Sequence, residues 1–181
     1  MVITIVSGNP RKADFFCQCL AGIGVRTVRM IRPLDELQAD SIESVARNKA
    51  VQAMACASPP LLVEDAGLVI DCLQGFPGPV TRYVLETVGP EGLLKIAGAS
   101  ACAIESFTVL VDSRKGEHLF VDRIEGTLAV STDDIATGAA RDLLGIFIPK
   151  GERLPFSGLE PERREAYVKH RCDRFVAWFR K

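Results

Sequence analysis

The chain has 181 residues, of which 48% are hydrophobic and 25% are charged, with a formal net charge of -1 at pH 7. This length suits one domain, or one domain with two lobes, and the composition can fill a sizeable core. The balanced charge gives no reason to expect nucleic-acid binding, so an anionic substrate would need local basic groups.

The sequence also predicts where in the cell the protein is located and whether its cysteines are reduced. The amino-terminal apolar run is too short for a signal peptide, and no run approaches the roughly 20 residues of a membrane helix. The six cysteines form no CxxC pair, and most lie in apolar segments, where free cysteine behaves as a small hydrophobe. We therefore expect reduced thiols, no zinc site, and a soluble cytoplasmic protein that does not bind membranes.

The first third of the chain alternates between predicted strands and helices. The predicted elements are a strand at residues 2–6, a helix at 10–22, a strand at 25–31, a helix at 41–57 and a strand at 60–65. β-branched and apolar runs predict the strands, and apolar side chains on one helical face predict the second helix. Asp40 or Ser41 is expected to cap that helix. The strand at 60–65 is expected to end at Ala66 and Gly67.

The rest of the chain adds more strands before a last helix. The predicted elements are a helix at residues 80–98, strands at 104–112 and 117–131, and a helix at 162–180. Gly and Pro in "LQGFPGP" predict a loop before the first of these. This order predicts an α/β fold with a mixed β-sheet flanked by helices.

The turn "SGNPRK" is the first candidate for chemistry. A glycine-containing turn at the start of a helix exposes backbone N–H groups, and Arg11 and Lys12 add positive charge there. That combination suits a phosphate group. The turn lacks the spacing of a P-loop, so an ordinary strand–helix connection is the alternative interpretation.

The segment "VEDAGL" is the second candidate. Glu64 and Asp65 follow an apolar run directly, and buried like charges are costly unless a cation or a catalytic task retains them. Magnesium binds one or two carboxylates together with substrate phosphates, and a carboxylate can also serve as a general base. Asp40 and Glu43 would extend such an acidic cluster. The alternative is a pair of surface charges at a turn.

The segment "KHRCDR" in the last predicted helix is the third candidate. His170 and Arg171 have side chains that can contact a base or a phosphate. In isolation, the same residues are more typical of a solvated helix face.

Taken together, these segments resemble the inosine triphosphate pyrophosphatase family, the Ham1-like nucleotide pyrophosphatases, in the form of its archaeal members. "SGNPRK" resembles the family's TGNxxK opening, and "VEDAGLVIDCLQGFPGPVTRYV" is similar to its signature EDSGLxIxALxGFPGxYSxYV. "ELQADSIESVA", "GPEGLLKI", "IFIPKG" and "KHR" resemble further family segments in the same order. The resemblance covers essentially the whole chain.

The resemblance implies a fold and an activity. The implied fold is a single ITPase-like domain over residues 1–181, an elongated mixed β-sheet flanked by helices with two lobes around a central substrate cleft. The implied activity is Mg²⁺-dependent hydrolysis of deaminated purine nucleoside triphosphates, such as ITP and XTP, to the monophosphate and pyrophosphate. Family members cleanse the nucleotide pool in this way and are usually homodimers.

The resemblance also implies roles for individual residues. By position, the residues implied to bind the nucleotide are Ser7, Asn9, Lys12, Gly67, Thr81, His170 and Arg171. Those implied to hold magnesium are Glu43, Glu64 and Asp65. Asp65 would orient or deprotonate the attacking water, with Lys12 and Glu43 as the other catalytic residues.

The departures from the family pattern cluster in the base-recognition region. Arg141 stands where the family has an aromatic residue, Leu144 where it has an aspartate, Glu165 where it has a lysine, and Lys169 where it has a serine. Three interpretations follow: a pyrophosphatase with family specificity, a pyrophosphatase with altered or relaxed base preference, or a nucleotide-binding relative with little catalysis.

Overall fold

The computed structural model describes residues 2–131 and 143–179, without the side chains of residues 168 and 170–172. The strands are β1 (Val2–Ser7), β2 (Arg26–Ile31), β3 (Leu61–Ile70), β4 (Ala101–Asp112), β5 (Gly116–Leu128) and β6 (Phe147–Pro149). The helices are α1 (Pro10–Ala21), α2 (Ile42–Met54), α3 (Thr81–Thr87), α4 (Gly89–Ala97), α5 (Leu143–Ile146) and α6 (Pro161–Phe179). The predicted α/β class is confirmed.

The described strands form one mixed sheet with the order β2-β1-β3-β4-β5-β6. β1 pairs in parallel with β2 and β3, whereas β5 pairs antiparallel with β6. The chain divides into two compact units, the first comprising Met1–Asp65, Ser106–Asp122 and Lys169–Lys181 and the second comprising Ala66–Glu105 and Arg123–Val168.

In the first compact unit, two helices cover opposite faces of the sheet. Leu62 packs in one cluster with Phe16 of α1 and Phe175 of α6. Leu61 and Val63 pack in another cluster with alanines of α2. Because successive side chains of a strand point to opposite faces, α1 and α2 lie on different sides of β3.

The second compact unit has its own core. Leu68 and Ile70 of β3 pack there with Leu93 and Leu94 of α4 and with Phe147 of β6. Among the described residues, no helix is long and apolar enough to cross a membrane.

Three expectations about these elements are wrong. β3 does not end at Asp65 but continues to Ile70, since the small residues Ala66 and Gly67 fit an extended backbone as well as a turn. The helix expected at 80–98 is two helices, because Gly89 has a φ of 74° and precedes a proline, which disfavours helical geometry. Cys19 is disulfide-bonded rather than reduced.

Candidate active site

The turn between β1 and α1 is held by its own side chains. Asn9 is the N-cap of α1, and its Oδ1 accepts hydrogen bonds from the backbone N–H groups of Arg11 (3.0 Å) and Lys12 (3.4 Å). The Asn9 N–H donates to Ser7 Oγ at 3.1 Å. Three amides that would otherwise suit phosphate are therefore bonded within the turn, and an anion here would meet side chains first.

Glu64 lies in the interior of β3 with its side chain only 1% exposed. The ammonium group of Lys12, on α1, lies 2.6 Å from Glu64 Oε2. The buried carboxylate requires such a partner, because an unpaired charge at this depth would be strongly destabilising. Lys12 and Glu64, two of the residues predicted for the site, are therefore in direct contact.

Asp65 is paired with a different lysine, Lys49 of α2. Lys49 Nζ lies 2.6 Å from Asp65 Oδ1 and 3.1 Å from Glu36 Oε1, and the side chains of Lys49 and Asp65 are 11% and 9% exposed. Sequence reasoning missed Lys49. The available signal was its position on the buried face of α2, beside Val45 and Ala46, where a lysine needs an anionic partner.

The two adjacent carboxylates point to opposite faces of the sheet. Glu64 faces α1, as Leu62 does, and Asp65 faces α2, as Val63 does. β1 pairs with β3 from Thr4 opposite Leu61, so this register, continued, brings Ser7 level with Glu64. A ligand at the carboxyl end of β1 would therefore approach both carboxylates of the neighbouring strand β3.

Glu43 does not join these two carboxylates in the structure. Its side chain is 41% exposed and its Oε1 accepts from Arg47 Nε at 2.8 Å, one helical turn along α2. Arg47 in turn pairs with Glu117 on β5. Within residues 2–131 and 143–179, no group of three or more His, Cys, Asp or Glu side chains is arranged to hold a metal ion.

Gly67 and Thr81 belong to the second compact unit, where both are buried. Thr81 Oγ1 accepts from the Leu68 N–H at 2.8 Å and donates to the Gly78 carbonyl at 2.6 Å. Its hydroxyl therefore ties the start of α3 to β3. This role is structural in the state described, and nucleotide binding by Thr81 stays a prediction.

The predicted base-recognition residues are described only in part. The side chains of His170 and Arg171, like the whole of Arg141, lie outside the described residues. Leu144 is 38% exposed, and Glu165 and Lys169 are exposed on α6.

A further cluster of hydrogen bonds links α6 to Glu152, which precedes that helix in the chain. Glu152 Oε1 accepts from Arg163 Nη2 at 2.5 Å and from the Tyr167 hydroxyl at 3.2 Å. Partial burial, with the Glu152 carboxylate close by, raises the pKa of Tyr167 above its usual value, so this phenol stays protonated and remains a hydrogen-bond donor at neutral pH.

Comparison with known proteins gives a consistent result. The Ham1 family model matches residues 3–176. The dITP/XTP pyrophosphatase of Methanopyrus kandleri is 33% identical, covering 99% of this chain and 97% of its own. The dITP/XTP pyrophosphatase of Ignicoccus hospitalis is also 33% identical, covering 96% of this chain and 93% of its own.

Solved structures agree in fold. The HAM1 protein from Coxiella burnetii superposes with a TM-score of 0.80 at 16% identity, covering 99% of this chain and 98% of its own. The nucleoside-triphosphatase or dITP/XTP pyrophosphatase from Mycobacterium abscessus superposes with a TM-score of 0.74 at 24% identity, covering 98% of this chain and 97% of its own.

Proposed function

The chain belongs to the Ham1 family, and on that premise we propose that it hydrolyses deaminated purine nucleoside triphosphates, of the ITP and XTP type, to the monophosphate and pyrophosphate. The names of its relatives in Methanopyrus and Ignicoccus support this substrate class. The observation that carries the proposal is the pair of buried carboxylates in β3, each held at 2.6 Å by a lysine from a different helix.

Asp65 is the proposed general base. Lys49 Nζ donates a hydrogen bond to Oδ1, which fixes the orientation of the carboxylate. Oδ2 would then orient a water molecule and accept its proton as the water attacks the α-phosphorus. Pyrophosphate is the leaving group, so the oxygen that bridges the α and β phosphates takes the electron pair of the broken bond.

Lys12 is the proposed triphosphate ligand. It is 30% exposed whereas its partner Glu64 is almost fully buried, so the ammonium group can turn toward an anion at the carboxyl end of β1. Ser7 and Asn9 lie in the same turn and can contribute hydroxyl and amide groups. Phosphoryl-transfer enzymes depend mainly on such positioning and charge neutralisation.

Magnesium is the proposed cofactor, and the residues present fit it. Glu64 is a hard oxygen donor, and when Lys12 turns to the triphosphate this buried carboxylate needs another cation. Magnesium is commonly bound by one or two carboxylates plus substrate phosphates. Glu64 would hold the ion together with the nucleotide, while Glu43 and Asp65 remain further predicted ligands. When bound, magnesium would neutralise charge that develops on the phosphate oxygens.

The test is release of pyrophosphate. The purified chain is incubated with Mg²⁺ and, separately, with ITP, XTP, dTTP and ATP, and with EDTA in place of Mg²⁺ as a control. We expect preference for ITP and XTP, and a loss of at least about 100-fold in kcat for Asp65→Asn. Asp14→Asn, which alters a surface carboxylate paired with Arg29, is the matched control.

The results separate the alternatives. Turnover of all four nucleotides at similar rates would replace the proposed specificity with a relaxed one. Wild-type rates in Asp65→Asn would remove Asp65 from the mechanism. No turnover of any nucleotide by folded protein would make the chain a binding relative without catalysis.

Altered base preference is the second candidate, and Glu165 favours it. A glutamate on α6 accepts hydrogen bonds, so at a base-recognition position it would suit an amino group better than a six-oxo group. If Glu165 contacts the base, Glu165→Lys will raise the ratio of ITP to ATP turnover. An unchanged ratio would remove Glu165 from base recognition.

The proposed enzyme acts in the cytoplasm as a homodimer that binds neither nucleic acid nor membranes. The balanced charge of the chain supports the absence of nucleic-acid binding. Light scattering coupled to size-exclusion chromatography tests the dimer, since a monomeric mass at micromolar concentration would contradict it.

A further inference from the structure

A pocket lies in the first compact unit, away from the candidate active site. Its volume is about 460 Å³, and it is lined by Pro60, by residues 112–115 of the β4–β5 turn, and by Trp178 and Phe179 of α6. The Thr4 N–H donates to the Pro60 carbonyl, so the pocket lies at the amino end of β3. Glu64 lies about 13 Å further along the strand, at about 3.3 Å per residue.

The turn that lines this pocket presents positive charge. Asp112 Oδ1 accepts the backbone N–H groups of Arg114 and Lys115, each at 2.8 Å. The carboxylate therefore holds the turn, and the lining carries the two positive charges of Arg114 and Lys115 against the one negative charge of Asp112. An anion is therefore the charge type that the lining favours.

The lining also includes aromatic side chains, those of Trp178 and Phe179. Lys115 Nζ lies 4.7 Å from the centroid of the Trp178 ring, a cation–π contact. The rings of His118 and Phe120 on β5 lie 4.8 Å and 6.3 Å from the same indole. These neighbours fix the indole in place, and Pro60 and Phe179 add apolar surface beside it.

We propose that this pocket binds a small anionic ligand that carries a planar aromatic ring, with nucleoside monophosphates as the representative class. The ring would pack against Trp178, Pro60 and Phe179, and the phosphate would bond to Arg114 and Lys115. The pocket volume is within the range of roughly 300–1,000 Å³ that is usual for small-molecule sites. The proposal does not depend on the proposed catalytic function, because the two sites share no residue.

The single tryptophan of the chain makes the test local. Trp178 is the only tryptophan, so all tryptophan emission comes from a residue that lines this pocket. The full-length protein is titrated with AMP in EDTA, and we expect a saturable change in emission. Arg114→Ala, which keeps Lys115 over the indole, and Arg114→Ala/Lys115→Ala should each weaken binding, the double variant by at least tenfold.

Matched variants control for net charge and for the other site. Lys95→Ala/Lys150→Ala removes two exposed positive charges from the second compact unit and should leave the AMP affinity unchanged. Lys12→Ala should also leave it unchanged, because Lys12 lies in the candidate active site. Thermal unfolding of each variant establishes that it is folded before titration.

Four outcomes would overturn the proposal. They are no saturable response to millimolar AMP, unchanged affinity in the double variant, loss of the response in Lys12→Ala, and equal loss in the charge-matched control. Two further titrations test the parts of the ligand. Equal affinity for inorganic pyrophosphate would refute the aromatic requirement, and equal affinity for adenosine would refute the anionic one.

Discussion

At the scale of single residues, the candidate site is governed by the cost of burying charge. Glu64 and Asp65 are adjacent in a strand and therefore point to opposite faces, so one cation cannot neutralise both from within the core. Each carboxylate has its own lysine, Lys12 from α1 and Lys49 from α2. The helices on the two faces of the sheet thus supply the two cations.

Lys49 should be important for stability as well as for the geometry of Asp65. Lys49→Met removes the ammonium group and leaves Asp65 buried without that partner, which we expect to lower the free energy of unfolding by about 3–5 kcal/mol. Urea denaturation measures this loss. The double variant Lys49→Met/Asp65→Asn should lose less than the sum of the single variants, because the unpaired charge is also gone.

The matched control for Lys49→Met is Lys95→Met, at an exposed position of α4, and its cost should be within about 0.5 kcal/mol of zero. Strict additivity of Lys49→Met and Asp65→Asn would show that the pair has no energetic coupling.

Cys102 should resist alkylation in the folded protein. Burial, with a smaller contribution from Asp71, raises the pKa of the Cys102 thiol to about 12. The thiol therefore stays almost fully protonated near pH 8, and the thiolate is the nucleophile. At pH 8, iodoacetamide should label exposed Cys72 well before Cys102, as peptide mass spectrometry measures. Comparable labelling rates in folded protein would contradict this.

At the scale of elements, the turn before α1 has two separable roles. Asn9→Ala removes the cap and should cost about 1 kcal/mol of stability. Asn9→Asp keeps a capping oxygen and should retain stability, but it adds a negative charge where the triphosphate is proposed to bind. We expect Asn9→Asp to raise KM for ITP several-fold with a wild-type unfolding midpoint. If KM stayed at the wild-type value, Asn9 would be a cap only.

The elements also mark the limit of what the sequence predicts. The order of the main strands and helices follows from local patterns, and the bounds of α1 and α6 agree with expectation to within two residues. The continuation of β3 to Ile70 could not be predicted from local patterns, because Ala66 and Gly67 are equally compatible with a turn. Sheet pairing made the difference there, and pairing involves residues distant in sequence.

In the candidate site, too, local motifs were predictable, whereas contacts between residues distant in sequence were not. The sequence motifs identified Lys12, Glu64 and Asp65. In the structure, each of these three residues belongs to a lysine–carboxylate pair. Lys49 was missed because its role depends on α2 packing against β3. The exposure of Glu43 and its pairing with Arg47 were missed as well, although the i, i+4 spacing of the two residues is a local signal for such a pair on a helix.

At the scale of the whole molecule, the two compact units have separate hydrophobic clusters but share continuous strands. β3, β4 and β5 each contain residues assigned to both units. If such a strand loses its hydrogen-bonded neighbours in one unit, the part of the same strand in the other unit loses support as well. The physical expectation is therefore one cooperative transition, the behaviour that is usual for smaller single domains.

The single tryptophan provides the means to test this cooperativity. Trp178 belongs to the first unit, whereas far-ultraviolet circular dichroism reports on helices and strands of both. We expect the urea midpoints from Trp178 fluorescence and from circular dichroism to coincide. A fluorescence midpoint displaced from the dichroism midpoint would mean that the first unit unfolds separately, and the strands would then transmit little stability from one unit to the other. Asn9→Ala, a destabilising change confined to the first unit, sharpens the comparison, because in a cooperative molecule it lowers both midpoints equally.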